Sequence, residues 1–238
     1  MSSPLAMHLS DGLLTGPVAL LFGAVAVLGL TVAVVGARRD LDDRTAPMAG
    51  LVAAFVFAVQ MLNFPVLPGV SGHLLGGALA AVLVGPYTGA LCVAIVLVVQ
   101  SLLFADGGLT MLGANVTNMA LIGTVVGYLV AVALRPLAVR SRAGLLGTAF
   151  TAALLATVGA SLGFVLEYAL GGATSISTPW VFGSIIGVHC LIGVGEGVIT
   201  ALTVSAVAQV RPDLVYLLRV RRAKTPAAPL ADAQRSPA

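Results

Sequence analysis

What most constrains this chain is a series of apolar runs, each close to the length needed to cross a bilayer. They fall at about 17–36, 47–64, 72–84, 87–105, 114–134, 145–170 and 181–209. A helix of about 20 residues spans the ~30 Å hydrocarbon core, and in lipid only helices and closed barrels satisfy their own backbone. Barrel strands would be about half as long and would alternate in polarity. Composition agrees, with 59% of residues hydrophobic and 9% charged, against roughly 25% charged in a soluble domain. The expected fold class is therefore an all-α integral membrane protein, a bundle of about seven transmembrane helices. The first run has no basic stretch ahead of it and no small-residue cleavage site after it, so it is expected to stay in the protein.

The basic residues orient the bundle. Arg38, Arg39 and Arg44 follow the first run, and Arg135, Arg140 and Arg142 follow the fifth. Arg211, Arg219, Arg221, Arg222, Lys224 and Arg235 follow the seventh. With seven crossings, all of them lie on one side. The positive-inside rule makes that side the cytoplasm, which places the N-terminus outside and the C-terminus in the cytoplasm of a multi-pass cell (plasma) membrane protein. Three regions follow: an extracytoplasmic N-terminal segment over 1–16, a membrane domain over 17–210, and a basic, then Ala/Pro-rich cytoplasmic tail over 211–238.

The third run is too short to cross as a straight helix. It begins beside Pro65, Pro68, Gly69 and Gly72 and ends at Gly85-Pro86. Broken backbone is tolerated at membrane depth only where protein or a cavity covers it, and transporters build sites in such places. Small residues four apart (Gly72/Gly76, Gly85/Gly89, Gly123/Gly127, Gly159/Gly163, Gly183/Gly187, Gly193/Gly197) allow close helix packing, within the chain or against partners.

Several chemistries are excluded. Cys92 and Cys190 lie in apolar runs without CxxC spacing, so no redox role follows. The net charge of +3 reflects where basic residues are parked and implies no nucleic acid. The lone lysine, Lys224, has no glycine-rich loop before it, so the chain lacks a Walker A motif. It also lacks Gly-x-Ser-x-Gly and His-Glu-x-x-His motifs. A transport subunit without its own ATP-binding motif fits better than an enzyme.

Three histidines remain. The topology puts His8 just before the first run and His73 at the outer end of the third, so two imidazoles from separate segments share one membrane face. They can meet at a transition-metal ion. Equally, an exposed N-terminal histidine can be idle and a histidine at a helix start can simply cap it. A chain beginning at Met7 would add a free α-amine and an ionisable His8 amide nitrogen to the His8 ring, with His73 closing an all-nitrogen square plane. Such a set suits Ni(II) or Cu(II), with Co(II) also accommodated, and suits Mg(II) and Ca(II) poorly. Residues 1–6 precede Met7, so the amine requires their absence from the mature protein.

Other polar groups fall near this face. His189 and Glu196 are two turns apart on one side of the last run, and an intramembrane carboxylate is rarely idle. Glu196 with Asn115 and Asn118 can form a buried polar cluster, structural or supporting the ion site, and His189 can serve as its partner or as a relay. Asp11 is expected to orient the N-terminal segment by accepting N–H bonds, beside a tight turn at Gly12. Glu167-Tyr168 is read as interfacial.

At Met7-His8-Leu9-Ser10-Asp11-Gly12 the chain resembles the CbiM/NikM family, the substrate-binding (S) components of energy-coupling-factor (ECF) transporters for cobalt and nickel. Supporting segments follow in order. They are Leu62-Asn63-Phe64-Pro65 through Gly72-His73-Leu74-Leu75-Gly76-Gly77, then Gln100 to Gly108, Gly113-Ala114-Asn115 with Asn118-Met119, and His189-Cys190-Leu191-Ile192-Gly193 with Gly195-Glu196-Gly197. The resemblance covers about 7 to 210 and implies a bundle of seven helices into which the N-terminal segment dips. It carries the metal ligands onto Met7, His8 and His73, the residues ahead of Met7 being a departure from the family's pattern. It implies Ni(II) or Co(II) as the transported ion, with no cofactor. The partners it implies are a transmembrane coupling (T) subunit, paired cytoplasmic ATPase subunits and, in many members, a small accessory membrane protein, all in a lipid bilayer. The residues leave two rivals open: a self-sufficient proton-coupled secondary metal transporter using Glu196 and His189, and an intramembrane metalloenzyme built on the same pair.

Overall fold

The structure, a computed structural model, describes residues 9, 11–41, 45–61, 64–67 and 70–219. Helix α1, Gly16–Asp40, starts with a proline in its first turn, where a missing N–H costs nothing, and ends with Arg38 and Arg39 in its last. Cations there complement the helix dipole. Most of α1 faces outward, with Leu20, Val27 and Leu28 more than 60% exposed, as suits a lipid-facing surface. Its inward seam is small: Ala26, Ala33 and Ala37 are buried. Between them, a Cβ on Gly29 would meet Leu121, and one on Gly36 would meet the Tyr87 ring. Helix α2, Thr45–Gln60, buries Met48, Val52, Val56 and Gln60, a stripe at four-residue spacing.

The short third run is resolved into three pieces. Phe64–Leu67 and Val70–Gly72 pair as antiparallel strands, with Phe64 opposite Gly72 and an irregularity between Pro65 and Leu67. The expectation there was irregular backbone alone, so this strand pair is an addition to the all-helical class. Residues 73–76 follow without helix, and Gly76 takes φ +81°. Helix α3, Gly77–Val84, is eight residues long and every one of them is buried. The helix therefore starts later than its apolar run.

Gly85, at φ +91°, turns the chain into α4, Pro86–Leu103. Helix α5, Leu109–Ala133, is continuous but changes pitch. A 3-10 turn (Leu109–Met111) and one α turn (Leu112–Asn115) lead into a π segment, Val116–Ile122, before regular helix resumes at Gly123. Helix α6, Arg142–Gly171, is capped by Ser141, whose Oγ accepts from Gly144 N at 3.0 Å. Helix α7, Thr178–Val210, packs along α6. Of these helices, α1, α4, α5, α6 and α7 are long and apolar enough to cross a membrane, which makes the chain a multi-pass membrane protein.

Glycines set the inner contacts. A Cβ on Gly77 of α3 would lie 2.8 Å from the Gly123 carbonyl carbon on α5, and one on Gly127 would meet Ala78 at 2.7 Å. A Cβ on Gly89 of α4 would lie 2.9 Å from the backbone of Ala80. Three helices are thus in backbone contact around α3. Gly183 and Gly187, by contrast, face open space.

Past α7 the chain stays on the bundle as far as Arg219. Two 3-10 turns, Pro212–Leu214 and Tyr216–Leu218, tuck Val215 and Leu217 inside. Arg135 holds this strap by donating from Nε to Leu217 O at 2.8 Å and from Nη2 to Arg219 O at 3.3 Å, while the Tyr216 ring lies against Gly85. The strap closes the end of the bundle opposite His73.

Candidate metal centre

Met7 and His8 lie outside the described residues. Their successor, Leu9, is held from both sides. Its N–H donates to Asn115 Oδ1 at 2.9 Å, and its carbonyl accepts from Asn115 Nδ2 at 3.3 Å and from Gly108 N at 2.9 Å. A carboxamide matches a peptide unit donor for acceptor, so Asn115 takes the place of a neighbouring strand. Asp11 caps the start of α5: its Oδ1 accepts from Thr110 N at 3.0 Å and from the Thr110 hydroxyl. Asp11 was expected to orient the N-terminal segment by accepting N–H bonds; the amide it accepts from belongs to α5. Gly12 takes φ +83°, as the expected tight turn requires. Beyond it, Thr15 N donates to Gly171 O at 2.8 Å and Ala173 N to Leu13 O at 2.9 Å, so the segment is also stitched to the end of α6.

His73 is 1% exposed. Its Nδ1 lies 2.8 Å from Leu74 O. A carbonyl can only accept, so Nδ1 carries a proton and donates it to Leu74 O.

The backbone just after His73 is held by side chains instead of a ladder. Leu75 N and Gly76 N donate to the two oxygens of Glu196 at 2.9 Å each, and Thr157 Oγ1 donates to Glu196 Oε2 at 2.9 Å. Gln60 Nε2 donates to Leu75 O at 2.7 Å. Helices α2, α6 and α7 thereby satisfy an irregular segment that lipid could not.

The expected cluster of Glu196 with Asn115 and Asn118 separates into different partnerships. Glu196 braces the 75–76 amides, Asn115 holds Leu9, and Asn118 Nδ2 donates to Glu167 Oε2 at 2.8 Å. Glu167, read as interfacial, is wholly buried. Its register was the missed signal, since it continues the buried small-residue stripe of Ala149, Ala152, Ala153, Ala156 and Ala160 on α6. His189 Nδ1 donates to Ile185 O at 2.8 Å, one turn back on its own helix, and reaches neither Glu196 nor His73. Among the described residues, no three His, Cys, Asp or Glu side chains are placed to hold an ion.

From the contact of Gly77 with Gly123, His73 lies four residues back along the chain, at most about 13 Å. Asn115, which holds Leu9, lies eight residues back on α5, roughly 12 Å. Two segments far apart in sequence thus both lie within reach of this one packing contact.

A bundle of membrane helices, a broken third helix and an N-terminal segment laced into the bundle make this a multi-pass membrane protein with irregular backbone held inside it. The match to known proteins makes this specific: residues 8–214 fit the profile of CbiM, the cobalt uptake substrate-specific transmembrane region, and the chain belongs to this family. A chain of Archaeoglobus fulgidus assigned as a fused nickel transport protein, NikMN, is 41% identical over 211 residues, covering 88% of this chain and 68% of its own length. The cobalt transport protein CbiM of Sorangium cellulosum is 33% identical over 223 residues, covering 91% and 97%. Among solved structures, the crystal structure of a truncated transition metal transporter aligns with TM-score 0.74 at 27% identity, over 85% of this chain and 99% of that one.

Proposed function

We propose that this chain is the substrate-capture (S) subunit of an ATP-driven ECF-type importer. It takes Ni(II) or Co(II) from outside in a nitrogen-ligand site and releases it to the cytoplasm with a coupling (T) subunit and paired ATPases. The observation that carries this reading is the seating of Leu9, one residue past His8, on Asn115 and Gly108, together with the burial of His73. Met7, His8 and His73 then supply amine, amide and imidazole nitrogens, a set that suits the two ions named for the relatives. The deposition of positive charge at the strap end, at Arg135, Arg142, Arg211 and Arg219, supports an outward-facing site.

Energetics support the need for partners. An interior negative by 100 mV favours entry of a divalent ion by about 4.6 kcal/mol, twice the value per unit charge. Nanomolar capture holds the ion by about 12 kcal/mol. Release therefore needs an outside source of work, and the chain has no Walker A motif to supply it. The engagement of Glu196 with Leu75, Gly76 and Thr157 supports a bracing role over a proton relay with His189.

Native mass spectrometry of the protein purified from membranes tests the reading. The expected species begins at Met7 with a free amine and one nickel or cobalt bound. A chain that retains residues 1–6 and takes up neither ion would reject the amine-chelate site.

A further inference from the structure

A groove of about 260 Å³ lies where the last turns of α1 meet the start of α4. Thr31, Val32, Val35, Gly36 and Arg39 line it from α1, and Tyr87 lines it from α4. A single water needs only about 10–15 Å³, so the groove is sized for an extended group. Its upper part is apolar: Val32 and Val35 are 61% and 50% exposed, and the Thr31 hydroxyl is spent on Val27 O at 2.7 Å. Arg39 ends the stripe. It is exposed, and among the described residues no carboxylate pairs with it.

Length and charge identify the occupant. Thr31 to Arg39 spans eight residues of helix, roughly 12 Å, close to the ~15 Å that one leaflet contributes to the hydrocarbon core. Arg39 stands in the last turn of α1, on the basic side of the bundle, which the positive-inside rule places at the cytoplasmic headgroups. An apolar stripe one leaflet long, closed by a guanidinium at headgroup level, fits an acyl chain with a phosphate at its end. Guanidinium and phosphate pair through two parallel N–H···O bonds. A helix of another protein laid along the same stripe would have to bring a carboxylate to that level. Residues 38–44 hold three arginines and three aspartates, so no net positive field selects an acidic headgroup. The group recognised is the phosphodiester itself.

We propose that this groove binds one phospholipid of the cytoplasmic leaflet, an acyl chain lying along Val32, Val35 and Gly36 and its phosphodiester paired with Arg39. The lipid bridges α1 and α4 on the face opposite His73, and the inference does not depend on the capture reading.

The test uses the full chain, purified in detergent, freed of lipid and then given phosphatidylethanolamine at rising concentration. Native mass spectrometry counts the bound lipid, and thermal unfolding gives the shift of the midpoint. Arg39→Gln removes the guanidinium, and Val35→Trp fills the apolar stripe. Both positions are exposed, so the lipid-free midpoint is expected to stay. Arg38→Gln, off the groove, and Leu20→Trp, in the outer half of the same helix, are the controls. The wild type and the controls should retain one phospholipid, and each groove variant should bind it about tenfold or more weakly. Equal retention by wild type and both groove variants overturns the proposal, as does a lower lipid-free midpoint in both, which makes the positions structural. Inorganic phosphate that stabilises wild type and Val35→Trp alike, and as well as the lipid does, would leave only an anion site and also overturns it. So does Val35→Cys cross-linking to another polypeptide in native membranes, which would make the groove a protein interface.

Discussion

Asn115 and Leu9 exchange hydrogen bonds in both directions, at 2.9 Å and 3.3 Å, across 106 positions of sequence. The side chain of one thus fixes the peptide of the other. With the bond from Gly108 N, that pairing fixes the place of Leu9 in the bundle.

Asn115→Leu should therefore weaken Ni(II) or Co(II) binding by about tenfold or more and lower the thermal midpoint, because it strands the part-buried Leu9 N–H, at a cost of about 1–3 kcal/mol. Asn115→Asp keeps the acceptor for Leu9 N and loses the donor to Leu9 O, so it should fall between. Isothermal titration of the three proteins gives the order. An aspartate variant weaker than the leucine variant would count against the pairing.

Imidazole ligation sets a pH dependence. An ordinary imidazole takes up its proton near pH 6.5, and a protonated ring cannot bind a metal. Affinity should hold above about pH 6.5 and decline as pH falls through it, while His8→Ala and His73→Ala should abolish tight binding and leave the fold intact. Titrations from pH 8 to 5, with circular dichroism of the variants, check this. Flat affinity over that range would indicate an oxygen-ligand site.

Glu196→Gln keeps the shape but turns one acceptor into an N–H donor. Whichever way the amide is placed, it faces either Leu75 N–H or Gly76 N–H, because Thr157 can absorb only one reversal. A loss of about 1–3 kcal/mol follows, visible in thermal unfolding, with a weaker ion site as its consequence. If stability were unchanged while metal uptake by this chain alone disappeared, a relay would replace the brace.

Gly77→Ala tests the packing contact from which both segments extend. Its Cβ would fall 2.8 Å from Gly123 C and 2.9 Å from Thr124 N, backbone atoms that cannot move aside. Overpacking of this kind costs about 1–3 kcal/mol, and it should weaken ion binding from a position that carries no ligand. Gly50→Ala, in open space on α2, is the control and should be neutral or slightly stabilising. Equal behaviour of the two would mean that the Gly77 contact does not set the site.

The parts legible in the sequence were those written in periodicity and charge. Apolar runs marked the helices, and Pro65, Pro68 and Gly72 marked the break before α3. Asp11, Gly12, Asn115 and Glu196 were singled out as residue types that seldom sit idle at such places. What stayed hidden were partners without a sequence signature. Glu196 bonds main-chain amides at Leu75 and Gly76, and every residue has such an amide, so three polar side chains on neighbouring helices looked like one cluster. Glu167 was hidden differently. Its place on the alanine stripe of α6 was visible, but about one turn from a helix end an acidic residue suits the interface equally well until packing is known.

The π segment in α5 has a consequence for how such chains can be compared. Val116–Ile122 lies between the part of α5 that packs on Gly77 and the part that carries Asn115. Removing one residue there would rotate the outer part by roughly 100° and carry Asn115 away from Leu9, while every apolar run kept its length. When homologous chains are aligned, a one-residue gap in this stretch is thus a lesion in the seating of the N-terminal segment, though hydropathy would register nothing.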